Sequence, residues 1–286
     1  MTPRSVLLVL ALAAVPLHAA GPMDDALALY SAKRYPDARI AFEAIAAGDA
    51  KNAEARYYLG VLAQKRNDTD EAVRRLEEAT TLDPTKSAYF TELGGAYGTA
   101  AGHAGLFAKV GFAQKCQAAL ARAVLLDPSN IEARNGLVSF YRSAPTFVGG
   151  GMSKAYAEAE EIRRRNPIVG ASVLGQLYLA EQKFEPAFTL YEETLKTAPD
   201  NYLLLYAIGR AAAQTGLHLD RGEQVLHRCL GLTPGPGEPG HAPVQWRLGN
   251  IAEKRGDTPA ARTAYAAALK EDPNFTQARD ALAKLK

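Results

Sequence analysis

The chain has 286 residues, of which 48% are hydrophobic and 22% charged, and this is enough apolar material for a sizeable core. The net charge of +2, without a basic stripe, excludes a typical nucleic-acid-binding surface. Cys116 and Cys229 lie far apart and lack CxxC spacing, which excludes a disulfide scaffold and a zinc knuckle. Both cysteines are predicted to be buried small apolar residues.

Residues 1–20 have the layout of a secretory signal peptide. Arg4 supplies a positive start, residues 6–15 form an uninterrupted apolar run, and small residues follow, with cleavage expected near Ala19 or Ala20. The run is shorter than the roughly 20 residues that cross a bilayer. The sequence therefore predicts a soluble mature protein, with no membrane span, in the periplasm or outside the cell. A retained N-terminal anchor is the alternative.

The rest of the chain repeats one pattern of small and large residues at fixed offsets. The glycine of each copy is expected where one helix backbone approaches another too closely for a Cβ atom. The terminal proline disfavours helix in the residue before it and so ends the second helix of the copy. Three copies match position for position: Leu59, Gly60, Ala63, Ala72, Leu76, Ala79 and Pro84; Leu174, Gly175, Tyr178, Ala187, Tyr191, Thr194 and Pro199; and Leu248, Gly249, Ala252, Ala261, Tyr265, Ala268 and Pro273.

This pattern resembles the tetratricopeptide repeat, a helix-turn-helix unit of about 34 residues. The resemblance covers nearly all of the chain after residue 20. It implies an all-α, TPR-type α-solenoid, a superhelix of antiparallel helix pairs, as a single domain over 21–286. The seven repeats are expected at 23–51, 52–85, 86–129, 130–168, 169–200, 201–235 and 241–274, followed by a capping helix over 275–286.

Three segments interrupt the regular pattern. Inserted loops are predicted at 99–110 in the third repeat and at 144–153 in the fourth. A Gly/Pro-rich segment at 231–243 predicts a surface linker, with a hinge or an interaction lip as the alternatives. Gly149–Gly151 suggests a phosphate-binding loop or a nucleophile elbow, but the P-loop spacing and the preceding strand are absent. We therefore interpret this segment as a wide turn in which Ser153 caps the next helix.

The sequence contains no recognisable catalytic or metal-binding set. His218, His227 and His241 lack HExxH or comparable spacing, and no further ligands converge on them in the sequence pattern. His103 lies between glycines and is interpreted as a solvated residue. We predict no enzyme activity and no cofactor, with a new activity at the Gly149–Gly151 loop left as an open alternative.

The leading hypothesis is a scaffold that binds a protein or peptide, because helical solenoids present a long concave surface. The pathway would be cell-envelope or secreted-complex assembly. The alternative is a small-ligand or cell-wall-glycan binding protein that uses the groove and the inserted loops 99–110 and 144–153. Phe107, Phe112 and Phe147 are the candidate exposed aromatics for that alternative.

The resemblance also implies which residues line the groove, because tetratricopeptide repeats use fixed positions of each first helix on either side of the Leu-Gly pair. Trp, Tyr and Arg are enriched at binding hot spots, and Arg142 and Arg210 could bind a carboxylate in bidentate fashion. The family's peptide-carboxylate clamp uses Lys and Asn in consecutive repeats, and this chain departs from it. The matching positions hold Tyr57, Gln64, Thr91, Asn135, Ser139, Arg142, Ser172, Gln176, Tyr206, Arg210, Trp246 and Asn250.

Overall fold

The computed structural model describes residues 21–285, so the predicted signal peptide lies outside the described residues. The described residues form α-helices and one short 3-10 helix, and no strand occurs among them. The prediction of an all-α fold is confirmed.

The helices follow one another in antiparallel pairs joined by short connections. In chain order they are α1 (Pro22–Ser31), α2 (Tyr35–Gly48), α3 (Ala53–Lys65), α4 (Thr69–Leu82), α5 (Ser87–His103), α6 (Leu106–Leu126), α7 (Ile131–Ser143), the 3-10 helix (Thr146–Val148), α8 (Met152–Arg165), α9 (Pro167–Ala180), α10 (Phe184–Leu195), α11 (Tyr202–Thr215), α12 (Leu219–Leu230), α13 (His241–Lys254), α14 (Thr258–Glu271) and α15 (Thr276–Lys284).

The chain divides into two compact units, one ending at Thr85 and one beginning at Lys86. The first unit contains α1–α4 and the second contains α5–α15. That residues 21–286 form one continuous solenoid stays a prediction.

In the first unit, the core joins α2, α3 and α4. Phe42 on α2 is fully buried and stacks on Tyr58 of α3, with 4.9 Å between the ring centroids. A Cβ atom added to Gly60 would lie 2.6 Å from Cγ of Leu76 on α4. The close approach of two helices that the Leu-Gly pair predicts is therefore present.

In the second unit, first helices pack on one another in three of the four neighbouring pairs. α5 contacts α7, α9 contacts α11, and α11 contacts α13, whereas no comparable contact joins second helices of neighbouring pairs within residues 86–285. In a curved stack of helix pairs, the layer whose members lie closer together is on the inner side. The first helices of this unit (α5, α7, α9, α11 and α13) therefore form what we call the inner layer.

The segment 99–110 is helical, so the prediction of an inserted loop there is wrong. α5 runs to His103 and α6 begins at Leu106, which leaves only Ala104 and Gly105 between them. These two helices have 17 and 21 residues, and no other described α-helix exceeds 14. The segment is rich in alanine and contains no proline, so the extra residues lengthen both helices instead of interrupting them.

The segment 144–153 is a turn, as predicted, but Ser153 does not cap α8. The helix begins at Met152 with Gly151 as its N-cap, and Ser153 is its exposed second residue. Gly151 has φ +149°, a conformation that favours glycine, and a Cβ atom on Gly150 would lie 1.8 Å from the carbonyl oxygen of Ala144. The glycine backbone therefore starts the helix two residues earlier than the serine suggested.

The Gly/Pro-rich linker covers 231–240, three residues fewer than predicted, because α13 begins at His241. It is held locally. The N–H of Gly235 donates to a carboxylate oxygen of Glu238 at 2.7 Å, and Nε2 of His241 lies 2.9 Å from the carbonyl oxygen of Leu232.

Candidate binding site

The predicted groove residues differ in position and exposure. Tyr57 and Gln64 are half-buried on α3 of the first unit, and Asn135, Ser139 and Arg142 are exposed on α7 of the second. Thr91 and Ser172 are buried, and the hydroxyl of Thr91 accepts a hydrogen bond from Asn130 (3.0 Å), which ties α5 to the start of α7. Gln176 is half-buried on α9. The remaining four residues are Tyr206 and Arg210 on α11 and Trp246 and Asn250 on α13.

These four residues meet around a side chain that the sequence analysis left out, Arg247 of α13. The guanidinium carbon of Arg247 lies 3.9 Å from the centroid of the Trp246 ring, and its Nη1 lies 3.3 Å from Oδ1 of Asn250. The hydroxyl of Tyr206 and the guanidinium of Arg210, both on α11, are close enough to act on the charge of Arg247. We call Tyr206, Arg210, Trp246, Arg247 and Asn250 the arginine cluster.

A second row of side chains supports the cluster from α14 and α15. The Asn250 amide donates to the hydroxyl of Tyr265 at 2.8 Å, and that hydroxyl in turn donates to the carboxylate of Glu253. The Trp246 ring meets the edge of Phe275, with 5.8 Å between centroids. The orientations of Trp246 and Asn250 are therefore fixed by neighbours, with Arg247 packed against both.

Both arginines of the cluster lack a partner of opposite charge. Neither Arg210 nor Arg247 forms an ion pair with any carboxylate among residues 21–285, and the Nε atom of each is buried without a hydrogen-bond partner. Arg210 lies beside the hydroxyl of Tyr191, but that oxygen also makes no hydrogen bond of acceptable geometry. A buried N–H donor with no acceptor is rare in proteins and points to a missing group.

Burial and mutual repulsion both disfavour the positive charges of Arg210 and Arg247. Burial lowers the pKa of Arg247 below its usual range, and the neighbouring charge of Arg210 lowers it further. Burial also raises the pKa of the Tyr191 hydroxyl to about 12, although Arg210 opposes that shift, so Tyr191 is neutral and offers no counter-charge. The nearest described acid in this network, Glu253, accepts from Tyr265 and reaches neither arginine within ion-pair distance.

Comparison with known proteins identifies the family to which these helix pairs belong. Two family models, each described as "Tetratricopeptide repeat", match the chain, one at residues 17–91 and the other at 173–235, 236–274 and 246–285. The chain belongs to the tetratricopeptide repeat family. A search of curated proteins gave no significant match.

Solved structures agree on the fold. A tetratricopeptide repeat protein from Parabacteroides merdae superposes with a TM-score of 0.65 at 12% identity, covering 92% of this chain and 96% of that one. Yeast Tom70 superposes with a TM-score of 0.66 at 14% identity, covering 89% of this chain and 51% of Tom70. A TPR protein of Thermus thermophilus superposes with a TM-score of 0.51 at 19% identity, covering 73% of this chain and 97% of that one. At these identities the likeness shows the fold alone, and the predicted TPR-type solenoid is confirmed at that level.

The repeat register shows why Arg247 has no partner. In the TPR pattern, Arg247 stands two residues before Gly249, as Arg134 on α7 stands two residues before Gly136. Arg134 is buried, and its Nη1 lies 2.5 Å from the carboxylate of Glu158 on α8. The residue of α14 that matches Glu158 is Ala264. The repeat formed by α13 and α14 therefore keeps the arginine and lacks the acid.

Arg247 was missed because its register position was treated as a packing position, as it is in two other repeats of the second unit. The equivalent residues Val173 and Ala207 are buried apolar side chains of the inner layer. The sequence did contain a signal. One repeat pairs Arg134 with Glu158, whereas the matching positions of another repeat hold Arg247 and Ala264, an arginine without its acid.

Other candidate sites in the tetratricopeptide solenoid are internally satisfied. The N–H groups of Gly149, Gly150 and Gly151 donate to the carbonyl oxygens of Thr146, Pro145 and Tyr141, so the glycine turn presents no cradle of free N–H donors. A surface depression of about 540 Å³ beside α12 contains Arg221 and Arg255, both paired with carboxylates. No group of three potential metal ligands occurs among the described residues, and none of their helices has the length and apolarity to cross a membrane.

Proposed function

We propose that this tetratricopeptide repeat protein is a non-catalytic, exported scaffold that binds an acidic segment of another protein, in cell-envelope or secreted-complex assembly. One observation carries the proposal: Arg210 and Arg247 lie together on the inner layer, half-buried, without a carboxylate partner among residues 21–285. Tetratricopeptide repeat proteins bind protein partners, and a charged site on the inner layer fits that role.

A carboxylate from a partner would correct the electrostatic defect of the cluster. It would supply the opposite charge that two neighbouring, half-buried guanidinium groups lack. The planar fork of arginine matches the two oxygens of a carboxylate, and such charge-assisted hydrogen bonds are about twice as strong as neutral ones. Trp246, which is half-buried, adds aromatic contact surface of the kind enriched at hot spots, whereas Tyr206 is buried.

The surroundings favour a carboxylate over a phosphate. Phosphate sites commonly recruit backbone N–H groups at a helix N-terminus. Arg210 and Arg247 lie in the interiors of α11 and α13, where the backbone N–H groups are already bonded within the helix. The cluster therefore offers side-chain donors only.

The glycan-binding alternative has less support. It relied on loops at 99–110 and 144–153 with exposed aromatics near them, and the first of these segments is helical. Phe112 packs toward Tyr97, with 6.3 Å between the ring centroids. Phe107 and Phe147 are exposed, but among the described residues no cluster of polar side chains beside them would bind sugar hydroxyls.

The test begins with crosslinking in the native compartment and mass spectrometry of the captured partner. Binding of that partner is then measured for R210Q, R247Q and W246A, with R221Q as the matched control, because Arg221 is already paired with Glu192. We expect each of the two cluster arginine variants to weaken binding by at least about tenfold, the range of a hot-spot residue. Equal binding by the parent, R210Q and R247Q would contradict the assignment.

Export is tested separately. We expect the protein from its native host to have the intact mass of a chain cleaved near Ala19 or Ala20, because residues 1–20 have the layout of a signal peptide. A full-length product in the cytoplasm would contradict this part of the proposal and would leave the arginine cluster unaffected.

A further inference from the structure

We propose that one edge of the second unit docks on an anionic lipid surface, as a peripheral contact. The edge consists of the α5–α6 hairpin tip and the turn between α7 and α8, and we call Leu106, Phe107 and Phe147 the apolar edge. These side chains are 76%, 94% and 81% exposed, the three highest values among the large hydrophobic residues of the described chain. Nothing in the interior of the protein requires them there.

The three residues lie at the same end of the helix pairs. α5 and α7 pack side by side and run in the same direction, since α6 reverses the chain between them. Their C-terminal ends, and therefore the turns that follow them, lie along one edge of the unit. The 3-10 helix that contains Phe147 also contacts α6 directly. Two consecutive repeats thus place exposed large apolar side chains on one edge.

The hairpin projects beyond its neighbours. α5 and α6 are the two longest described helices, and their added residues surround the tip. A Cβ atom added to Gly102, Gly105 or Gly111 would meet no atom within 4 Å. A projection with open space on its sides can enter a fluid headgroup layer without a matching pocket, which a protein partner would have to provide.

The charge along this edge is one-sided. The chain has 31 acidic residues, yet none occurs in 93–118 or in 137–157, which include the helix ends at this edge and contain Lys109, Lys115, Arg142 and Lys154. Neither Lys109 nor Arg142 pairs with a carboxylate among the described residues. The next acid along the edge, Glu181, is paired with Lys183 and accepts from Tyr156.

Exposed apolar side chains ringed by cations fit an anionic membrane surface. The apolar groups enter the boundary between headgroups and acyl chains, and the cations remain at the anionic headgroups. Each lysine or arginine near such a surface strengthens binding, and salt weakens it. The contact would leave the arginine cluster free, because that cluster lies on α11 and α13.

The experiment is co-sedimentation of the mature full chain with vesicles of equal parts phosphatidylglycerol and phosphatidylcholine, and with vesicles of phosphatidylcholine alone. We expect binding to the anionic vesicles only, reduced by salt. F107S and K109Q should each lower the partition coefficient about fivefold. The matched control is L125S, because Leu125 is also highly exposed (70%) but lies at the opposite end of α6. The L125S variant should sediment with vesicles like the parent. All three variants change exposed residues, so circular dichroism should show unchanged helicity.

A second measurement reports insertion directly. F107W in a W246F background places the only tryptophan at the tip, and its emission should shift to shorter wavelength on anionic vesicles. The proposal is overturned if the parent fails to bind anionic vesicles at low salt, if F107S binds as well as the parent, or if neutral vesicles bind equally. Loss of a captured protein partner from F107S, without vesicle binding by the parent, would assign the edge to a protein instead. R210Q/R247Q should retain vesicle binding, which separates this result from failure of the proposed scaffold function.

Discussion

Arg134 and Arg247 occupy the same register position in two repeats, yet only Arg134 has a carboxylate partner. This difference predicts opposite effects of the same substitution. R134M would leave the half-buried Glu158 unpaired and remove the hydrogen bond from Nε to the carbonyl oxygen of Pro128, so the free energy of unfolding should fall by about 1–3 kcal/mol.

R247M should leave the melting temperature unchanged or raise it, because it removes a charge that lies near Arg210 and keeps the apolar stem. Partner binding should nevertheless weaken. Thermal unfolding of both variants, together with the binding assay, checks the pair of predictions. A large loss of stability in R247M would mean that the contacts of Arg247 with Trp246 and Asn250 outweigh the cost of its unpaired charge.

Gly170 shows how closely two helices of the solenoid approach. Only Asn166 separates α8 from α9, and a Cβ atom on Gly170 would lie 2.1 Å from the Cα atom of Arg163. Because a backbone atom cannot rotate away as a side chain can, G170A should destabilise the protein by about 1–3 kcal/mol.

Gly95 provides the matched control for that substitution. It lies within α5, and an added Cβ atom would meet nothing within 4 Å. G95A should therefore stabilise the protein by up to about 1 kcal/mol through helix propensity. Chemical denaturation of both variants measures the contrast, and equal effects would mean that the close approach at Gly170 is wrong.

At the scale of the helix, the first helices begin repeatedly at an asparagine. Asn52, Asn130, Asn166 and Asn201 each accept a hydrogen bond from the backbone N–H three residues later. Ser153 makes no such cap, because α8 begins at Met152 with Gly151 as its N-cap. N201A should thus cost about 1 kcal/mol of stability, whereas S153A should change it by no more than a few tenths. Denaturant midpoints of the two variants decide between Gly151 and Ser153 as the N-cap of α8.

At the scale of the whole molecule, every member of the arginine cluster comes from the second compact unit. A fragment covering 86–286 should accordingly keep its helical circular dichroism and bind the captured partner with the affinity of the mature chain. Stability in repeat proteins is approximately a sum of repeat and neighbour terms, so removal of terminal repeats leaves the others able to fold. Loss of binding by a fragment that remains helical would show that residues 21–85 contribute to the site.

The sequence alone determined the repeat and its helices. The spacing from Leu59 and Gly60 to Pro84 recurs in the copies that begin at Leu174 and Leu248. Each copy must bury the same face against its neighbours, so the same residue types are needed at the same offsets. The same pattern identified Tyr206, Arg210, Trp246 and Asn250 as first-helix residues. The repeat needs only periodicity and the stereochemistry of glycine and proline, whereas the first-helix positions were implied by the resemblance to the tetratricopeptide repeat.

Only the tertiary structure decided which residues meet and which remain unpaired. The residues at 99–110 became helix because no strong helix breaker opposed propagation from both sides, a balance that spacing alone does not show. Arg247 and its lack of a partner depend on contacts between α11, α13 and α14, which are far apart in sequence. The local sequence pattern determines the helix face on which a residue lies. The charge and the hydrogen-bond acceptor opposite that residue come from other helices. The contacts between helices therefore determine the candidate site.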